Sequence, residues 1–203
     1  MTTAFNEFMR QSKMTGREKA DGYSQDAFIG LDEYEKETVF DLLVTELPFS
    51  AEWLFPLDTK KAIAIVKEKE KEFRGSPYKH VYMLQENLVK YSGDLTYQEH
   101  MIEDYTNYAD RLKPLVVESI SRTPTNETTI NFFKQIVLVE TNTNAVARAA
   151  DNLLYLLKFP RSTTAEKQKY DRLIAELRSD NNEVKKRALG EIEKKETSFF
   201  STR

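Results

Sequence analysis

Apolar residues recur at every third or fourth position along most of this chain, from Leu31 onward. The clearest case is the segment in which Val146, Ala149, Ala150 and Leu153 follow one another. This spacing places apolar side chains on one face of an α-helix, whereas a half-buried strand alternates every second residue. No segment alternates in that way, and Gly and Pro number only six each, few for the turns of an all-β protein. We therefore predict an all-α fold of about nine helices, joined by short loops that make neighbouring helices antiparallel.

Polar residues at the predicted helix ends support this interpretation. Asp32–Glu35 and Thr163–Glu166 have the spacing of a capping box, in which two side chains satisfy backbone N–H groups at a helix start. Asp180–Glu183 resembles a third such box. Gly75 and Gly93 can adopt the left-handed conformation that commonly follows a helix end.

The helical pattern also predicts how the chain is divided. Residues 1–30 are a lead-in that we expect to be partly flexible, although its first residues could dock as a short helix. Residues 31–196 are predicted to form a single α-helical repeat domain, and residues 197–203 a tail. Within the domain, Phe49–Leu57 is expected to be a short packed turn, and the apolar run Ile136–Val139 is expected to be buried.

Two helix pairs in the C-terminal part resemble each other at a spacing of 38 residues. Such a repeat is typical of stacked helix pairs, each of which buries its apolar face against its neighbour. The matching positions are Asn142, Asn144, Val146, Ala150 and Leu154 in the first copy and Asp180, Asn182, Val184, Ala188 and Ile192 in the second.

The segments Asn144–Ala150 and Asn182–Ala188 resemble the second helix of HEAT or armadillo-type repeats. That family has a capped helix that begins with Val, has a basic residue close behind and carries a small residue where helices cross. The resemblance covers about residues 125–196 and implies an α-solenoid, a right-handed stack of antiparallel helix pairs. At this spacing, however, Arg148 and Arg187 do not coincide, and the proline that often bends the first helix is missing. A non-repetitive helical bundle is the alternative.

Composition excludes several classes of function. The net charge is −3, from 30 basic and 33 acidic residues that are interleaved, so a nucleic-acid role is not favoured. The basic run Lys185–Arg187 is interpreted as one solvated helix face. The absence of cysteine excludes disulfides and thiolate chemistry and suits the cytoplasm. No apolar run approaches the ~18 residues that a membrane-spanning helix needs, so no membrane partner is expected.

The sequence shows no catalytic pattern. His100, Glu103 and Asp104 share one helical face, which would suit a metal, but a second such motif is missing. An exposed, solvated His100 explains the spacing better. No phosphate-binding glycine loop and no serine nucleophile motif occurs. We therefore predict no enzyme activity, no metal and no cofactor.

Tyrosines cluster with acidic residues in the middle of the chain. A tyrosine buries a large ring and keeps a polar tip, which favours it at protein interfaces. Core packing is the alternative for each tyrosine, and Tyr82 is the best candidate for exposure, since it lies roughly 100° around the helix from Val81. The predicted partner-binding residues are Tyr78, Tyr82, Tyr97, Glu99, Glu103, Asp104 and Tyr108.

These observations favour a module that binds another protein and does not catalyse a reaction. Stacked helix pairs present an extended groove, and acidic residues beside it suit a basic partner. A small, acidic, cysteine-free helical-repeat protein also resembles some bacterial immunity proteins. That resemblance implies, as an alternative, that the chain binds and neutralises a cognate toxin domain. An enzyme or a nucleic-acid-binding repeat protein is the further alternative.

Overall fold

The computed structural model describes residues 1–15 and 22–201, with side chains described up to residue 193. This part of the chain is all-α, as predicted, and contains eleven α-helices. They are α1 (Thr3–Ser12), α2 (Glu33–Thr45), α3 (Ala51–Leu57), α4 (Thr59–Phe73), α5 (Val81–Ser92), α6 (Thr96–Asp104), α7 (Lys113–Ser121), α8 (Glu127–Val139), α9 (Thr143–Leu156), α10 (Thr164–Leu177) and α11 (Asn182–Ser201).

The prediction of about nine helices is wrong, because two short helices were not counted. One is α1, in the lead-in, and the other is α3, where a turn was expected. Asp58 lets α3 and α4 follow each other with a single residue between them. It ends α3, and its carboxylate accepts a hydrogen bond from the backbone N–H of Lys61 and so caps α4.

The chain forms two compact units. Unit 1 comprises residues 1–74 and 79–93, and unit 2 comprises residues 75–78 and 94–203. The predicted single domain over residues 31–196 stays a prediction. No helix in the described ranges is both long and apolar enough to cross a membrane.

In unit 1, the lead-in packs against the helices that follow it. The backbone N–H and the hydroxyl of Thr2 both donate to the buried carboxylate of Glu35, at 2.6 and 2.7 Å. Phe8 is buried and stacks on Tyr23, with ring centroids 4.8 Å apart. The predicted flexibility of residues 16–21 falls outside the described residues.

In unit 2, contacts between side chains fix the directions of the helices. The Asn142 amide donates to the carbonyl of Asp110, and Arg148 pairs with Glu118, so α7 and α9 run in the same direction. In contrast, Arg172 pairs with Glu191 and Arg187 pairs with Glu176, so α10 and α11 are antiparallel. Packing in this unit also joins α9 to α8 and α11 to α8.

The caps define how the two helix pairs α8–α9 and α10–α11 correspond. Asn142 caps α9. The side-chain oxygen of Asn181 accepts from the N–H groups of Glu183 and Val184 and so caps α11, at a residue 39 positions later. The predicted cap at Asp180 and the predicted spacing of 38 residues are therefore wrong for this helix by one position.

The spacing of 39 residues also aligns the two arginines that do not coincide at a spacing of 38 residues. It places Arg148 opposite Arg187, and each of these arginines pairs with a glutamate of another helix. It also brings the buried residues into register: Val146, Ala149, Ala150 and Leu153 in α9 correspond to Lys185, Ala188, Leu189 and Ile192 in α11. In the first helices of the pairs, the caps Asn126 and Thr163 are 37 residues apart.

Candidate functional site

The structure buries most of the predicted partner-binding residues. Tyr97, Asp104 and Tyr108 are buried in unit 2, where they contribute to the packing of the helices. Burial of these side chains removes them from any surface that a partner could contact. The predicted Tyr- and acid-rich face is therefore not presented as a whole.

Tyr82, which belongs to unit 1, is buried as well, with 6% of its surface exposed. The expectation of exposure is wrong because α5 packs against both α3 and α4. A helix with two packing neighbours buries a wide arc that includes residues about 100° apart, such as Val81 and Tyr82. The Tyr82 hydroxyl lies 2.9 Å from Nδ1 of His80.

Three predicted residues remain accessible, all in unit 2. Tyr78 is exposed, and the Arg111 guanidinium lies 5.8 Å from the centre of its ring. Glu99 and Glu103 are exposed one turn apart on α6. Partner binding by these three residues stays a prediction.

His100 does not form a metal site with the acidic residues that follow it. Its ring packs edge to face against Tyr97, with ring centroids 5.6 Å apart, and Asp104 is buried. Among the described residues, no group of three histidine, aspartate or glutamate side chains is arranged to hold a metal ion.

A polar network lies where α8 passes into α9. The carboxylate of Glu140, only 8% exposed, accepts a hydrogen bond from the Tyr105 hydroxyl at 2.9 Å and forms an ion pair with Lys113 at 3.3 Å. It also accepts from the backbone N–H groups of Thr141 and Asn142, at 2.8 and 2.9 Å. The carboxylate thus compensates the partial positive charge at the start of α9.

The network shifts the titration of its members. Burial alone would raise the pKa of Glu140, but hydrogen bonds from Asn142, Tyr105, Thr141 and Lys113 hold it below its ordinary value. For Tyr105, burial and the adjacent Glu140 carboxylate raise the pKa of the hydroxyl. Glu140 is therefore ionised and Tyr105 neutral at neutral pH, and the group is a fixed part of the structure.

Next to this network, a cleft of about 540 Å³ opens between the turns of the two helix pairs. Its volume falls within the range of sites that bind small molecules or side chains. The starts of two helices, α9 and α11, lie in its wall. The cleft is lined by Leu138, Val139, Glu140, Thr141, Thr143, Val146, Arg178, Asp180, Asn182 and Lys185.

Lys185 is the unusual residue of this cleft. Only 7% of its surface is exposed, and its ammonium has no hydrogen bond or ion pair with any residue in the described ranges. Most of the side chain is thus packed against its neighbours while the ammonium faces the open space of the cleft, the usual arrangement for a lysine whose stem is buried. The second cation of the cleft, Arg178, is compensated by the Asp151 carboxylate at 2.6 Å.

The rim of the cleft is apolar at Val139, which is 66% exposed. The run Ile136–Val139 was expected to be buried throughout, and this is wrong for its last two residues, because Leu138 is half-buried and Val139 is exposed. Val139 is the final residue of α8, where the helix leaves the core and enters the turn. An exposed valine therefore borders a cleft that also contains a buried lysine.

The sequence indicates that Lys185 lies on the core side of its helix only when the two helix pairs are aligned by their caps, at a spacing of 39 residues. Read as part of Lys185–Arg187, the lysine resembles one residue of a solvated face. Aligned by the caps, it falls opposite the buried Val146 and thus on the core side of α11. No family model, curated protein or solved structure matches this chain.

Proposed function

We propose that the chain is a binding protein without catalytic activity and that unit 2 recognises a partner protein through the cleft between its helix-pair turns. The observation that carries this proposal is the juxtaposition of the exposed Val139 with the buried, unpaired Lys185. An apolar contact beside a specific polar group is the usual composition of a protein-binding site.

The chemistry of the cleft favours binding over catalysis. Its acidic residue with the most hydrogen bonds, Glu140, is already committed to Tyr105, Lys113 and two backbone N–H groups. A general base needs a carboxylate that can exchange a proton with substrate near neutral pH, and the pKa of Glu140 is lowered instead.

The finer form of the proposal is a HEAT-like repeat. The parallel directions of α7 and α9 and the antiparallel pair α10–α11 support such a stack in unit 2. The proposal includes a right-handed solenoid in this unit, which an experimental structure would test, and neutralisation of a toxin as the purpose of binding, which the identity of the partner would test.

The experiment compares two surface variants as baits. Val139→Asp places a charge on the apolar rim of the cleft, whereas Leu115→Asp places the same charge on an exposed position of α7. Both variants and the unmodified chain are immobilised and exposed to lysate of the source cells, and bound proteins are quantified by mass spectrometry. We expect at least one protein to be retained by the unmodified chain and Leu115→Asp, and depleted at least tenfold on Val139→Asp.

Circular dichroism of each bait provides the control for folding. If no protein distinguishes Val139→Asp from Leu115→Asp while both baits are folded, the cleft is not the binding surface and the proposal is wrong.

A further inference from the structure

The turns of the two helix pairs differ in one charged group. In the first pair, Glu140 lies two residues before the capping Asn142, and its carboxylate accepts the backbone N–H of that asparagine at 2.9 Å. In the second pair, Ser179 lies two residues before the capping Asn181, and its hydroxyl accepts the corresponding N–H at 3.1 Å. The first turn thus contains a carboxylate where the second turn has a neutral hydroxyl.

The lysines near the two turns differ in whether a carboxylate neutralises them. The carboxylate of the first turn neutralises Lys113 at 3.3 Å. Near the second turn, the buried Lys185 has no such partner in the part of the chain that the structure describes. Lys185 corresponds to Val146 and not to Lys113, so the second turn differs in having nearby a lysine without an ion pair in the described ranges and no carboxylate at the position of Glu140.

The remaining charges of the cleft select the kind of anion that fits. Arg178 is paired with Asp151, and Glu140 is paired with Lys113, so Lys185 and the exposed Asp180 are the two lining charges without an ion pair among the described residues. Glu140 and the exposed Asp180 both line the cleft and would repel a dianion. A group with a single negative charge is therefore repelled less than a phosphate, which carries about 1.5 to 2 negative charges at neutral pH.

We propose that the cleft binds a carboxylate, and that this carboxylate is an aspartate or glutamate side chain of the partner protein, paired with Lys185. The helix start at Asn182 adds a favourable dipole, and the hydroxyls of Thr141 and Thr143 line the same space. The claim that the carboxylate belongs to a partner protein rests on the proposed function. The claim that the cleft binds a carboxylate does not.

The test follows the lysine signals by NMR, with ¹³C-labelled lysine side chains in the full chain. The probe is N-acetyl-glutamate N-methylamide, which has a single carboxylate. N-acetyl-glutamine N-methylamide, which is uncharged, is the matched control, and inorganic phosphate is the competing anion. We expect the Cε resonance of Lys185 to move with the glutamate probe, saturating at millimolar concentration as suits a single ion pair. The glutamine probe should leave this resonance in place.

Three variants separate the site from general effects of charge. Lys185→Met removes the ammonium and should abolish the response of the cleft to the probe, which the Thr143 and Asn182 amide signals also report. Ser179→Glu places a carboxylate at the position of the second turn that corresponds to Glu140, between the lining residues Arg178 and Asp180, and should weaken probe binding at least fivefold by repulsion. Lys186→Met removes an adjacent lysine that is exposed and paired with Glu183, so it should leave binding unchanged.

Thermal unfolding gives a second readout. If Lys185 is kept for binding, Lys185→Met should leave Tm unchanged or raise it by up to about 3 °C, because an apolar side chain of similar length replaces a lysine whose stem is buried and whose ammonium has no partner among the described residues. A lower Tm for folded Lys185→Met, with no response of the unmodified chain to the probe, would show that the lysine has a structural role.

The outcomes keep the two proposals apart. Phosphate binding as tight as the glutamate probe, or equal responses to the glutamate and glutamine probes, would overturn the carboxylate assignment. A partner that Val139→Asp loses and Lys185→Met retains would leave the proposed function standing and overturn the pairing with Lys185. A clear response to the glutamate probe, when the baits retain no partner that depends on Val139, would leave carboxylate binding standing and overturn the proposed function.

Discussion

Lys185 in α11 occupies the position that Val146 holds in α9, four residues after the asparagine that caps each helix. Both residues are at least nine-tenths buried and both line the cleft. An apolar residue is the expected occupant of such a position, and the first pair has one. The lysine contributes less apolar contact than a valine and places a charged group at the cleft, which is the physical reason to connect it with binding.

The Glu140 carboxylate should stabilise unit 2 through its ion pair and its hydrogen bonds. Glu140→Gln preserves the shape of the side chain but removes the charge that faces Lys113 and two backbone N–H groups. We expect the free energy of unfolding at pH 7 to fall by about 2 kcal/mol, the usual range for hydrogen bonds to a charged group. Urea denaturation measures this, and the exposed Glu127→Gln on α8 should change it by less than about 0.5 kcal/mol.

The same carboxylate predicts the direction of a pH dependence. The pKa of Glu140 is lower in the folded chain than in the unfolded chain, so the unfolded chain takes up the proton first as the pH falls. The stabilisation is therefore complete above the unfolded pKa, about 4.5, and is lost as the pH falls through the folded pKa. The difference between the unmodified chain and Glu140→Gln should be larger at pH 7 than at pH 3. An equal difference at both pH values, from urea midpoints, would contradict this assignment.

A buried amide should hold α6 to the turn before α8. The Gln98 side chain donates to the Thr123 hydroxyl at 2.6 Å and to the Pro124 carbonyl at 2.8 Å, and it accepts from the Asn126 amide at 2.7 Å. Gln98→Leu removes all three of these hydrogen bonds, so we expect a loss of about 2–3 kcal/mol in the free energy of unfolding. Gln135→Leu, at an exposed position of α8, is the matched control. A loss as large in the control would indicate that the buried hydrogen bonds do not cause the effect.

The helices of unit 2 could be predicted because their signals are local. The capping box at Thr163–Glu166 is present as predicted, and so is the box at Asp32–Glu35 in unit 1. The left-handed glycine at the end of α5, Gly93, is also confirmed. Each signal depends on residues within one turn of the helix end, so a single sequence contains it completely.

The candidate site could not be predicted, because burial depends on which helices become neighbours. Tyr82 and Tyr108 have the residue type of an interface but lie in the core. Lys185 has the residue type of the surface and is buried, while the adjacent Lys186 is exposed and pairs with Glu183. A register error of one residue rotates a helix by about 100°, which is enough to exchange the two lysines.

The spacing of 39 residues predicts which alanines share a structural role. Ala149 and Ala188 correspond at this spacing, and both are fully buried. Replacement of either by Leu adds volume to a closely packed site and should cost about 1–3 kcal/mol. Ala175→Leu, on the exposed side of α10, should change the free energy of unfolding by less than about 0.5 kcal/mol. Tolerance of Leu at Ala188 but not at Ala149, in urea denaturation, would show that the two positions are not equivalent.

The packing of α1 in unit 1 predicts a local effect on stability. Phe8 is fully buried between Tyr23 and Phe28, with ring centroids at 4.8 and 5.8 Å. Phe8→Ala removes both aromatic contacts and leaves a cavity, at a cost of about 3–5 kcal/mol to the docking of the helix. Amide hydrogen exchange should therefore accelerate at least a hundredfold in residues 5–12, whereas amides of α5 should change little.

The neighbouring Met9 offers a control for this effect, because it is partly exposed on the same helix. Met9→Ala also shortens a large side chain of α1 to a methyl group, yet it leaves the stack of Phe8 on Tyr23 intact. Exchange in residues 5–12 should then rise less than tenfold. Equal acceleration in the two variants would mean that the aromatic contacts of Phe8 are not what holds α1 in place. Acceleration of α5 together with α1 in Phe8→Ala would instead show that unit 1 unfolds as one cooperative body.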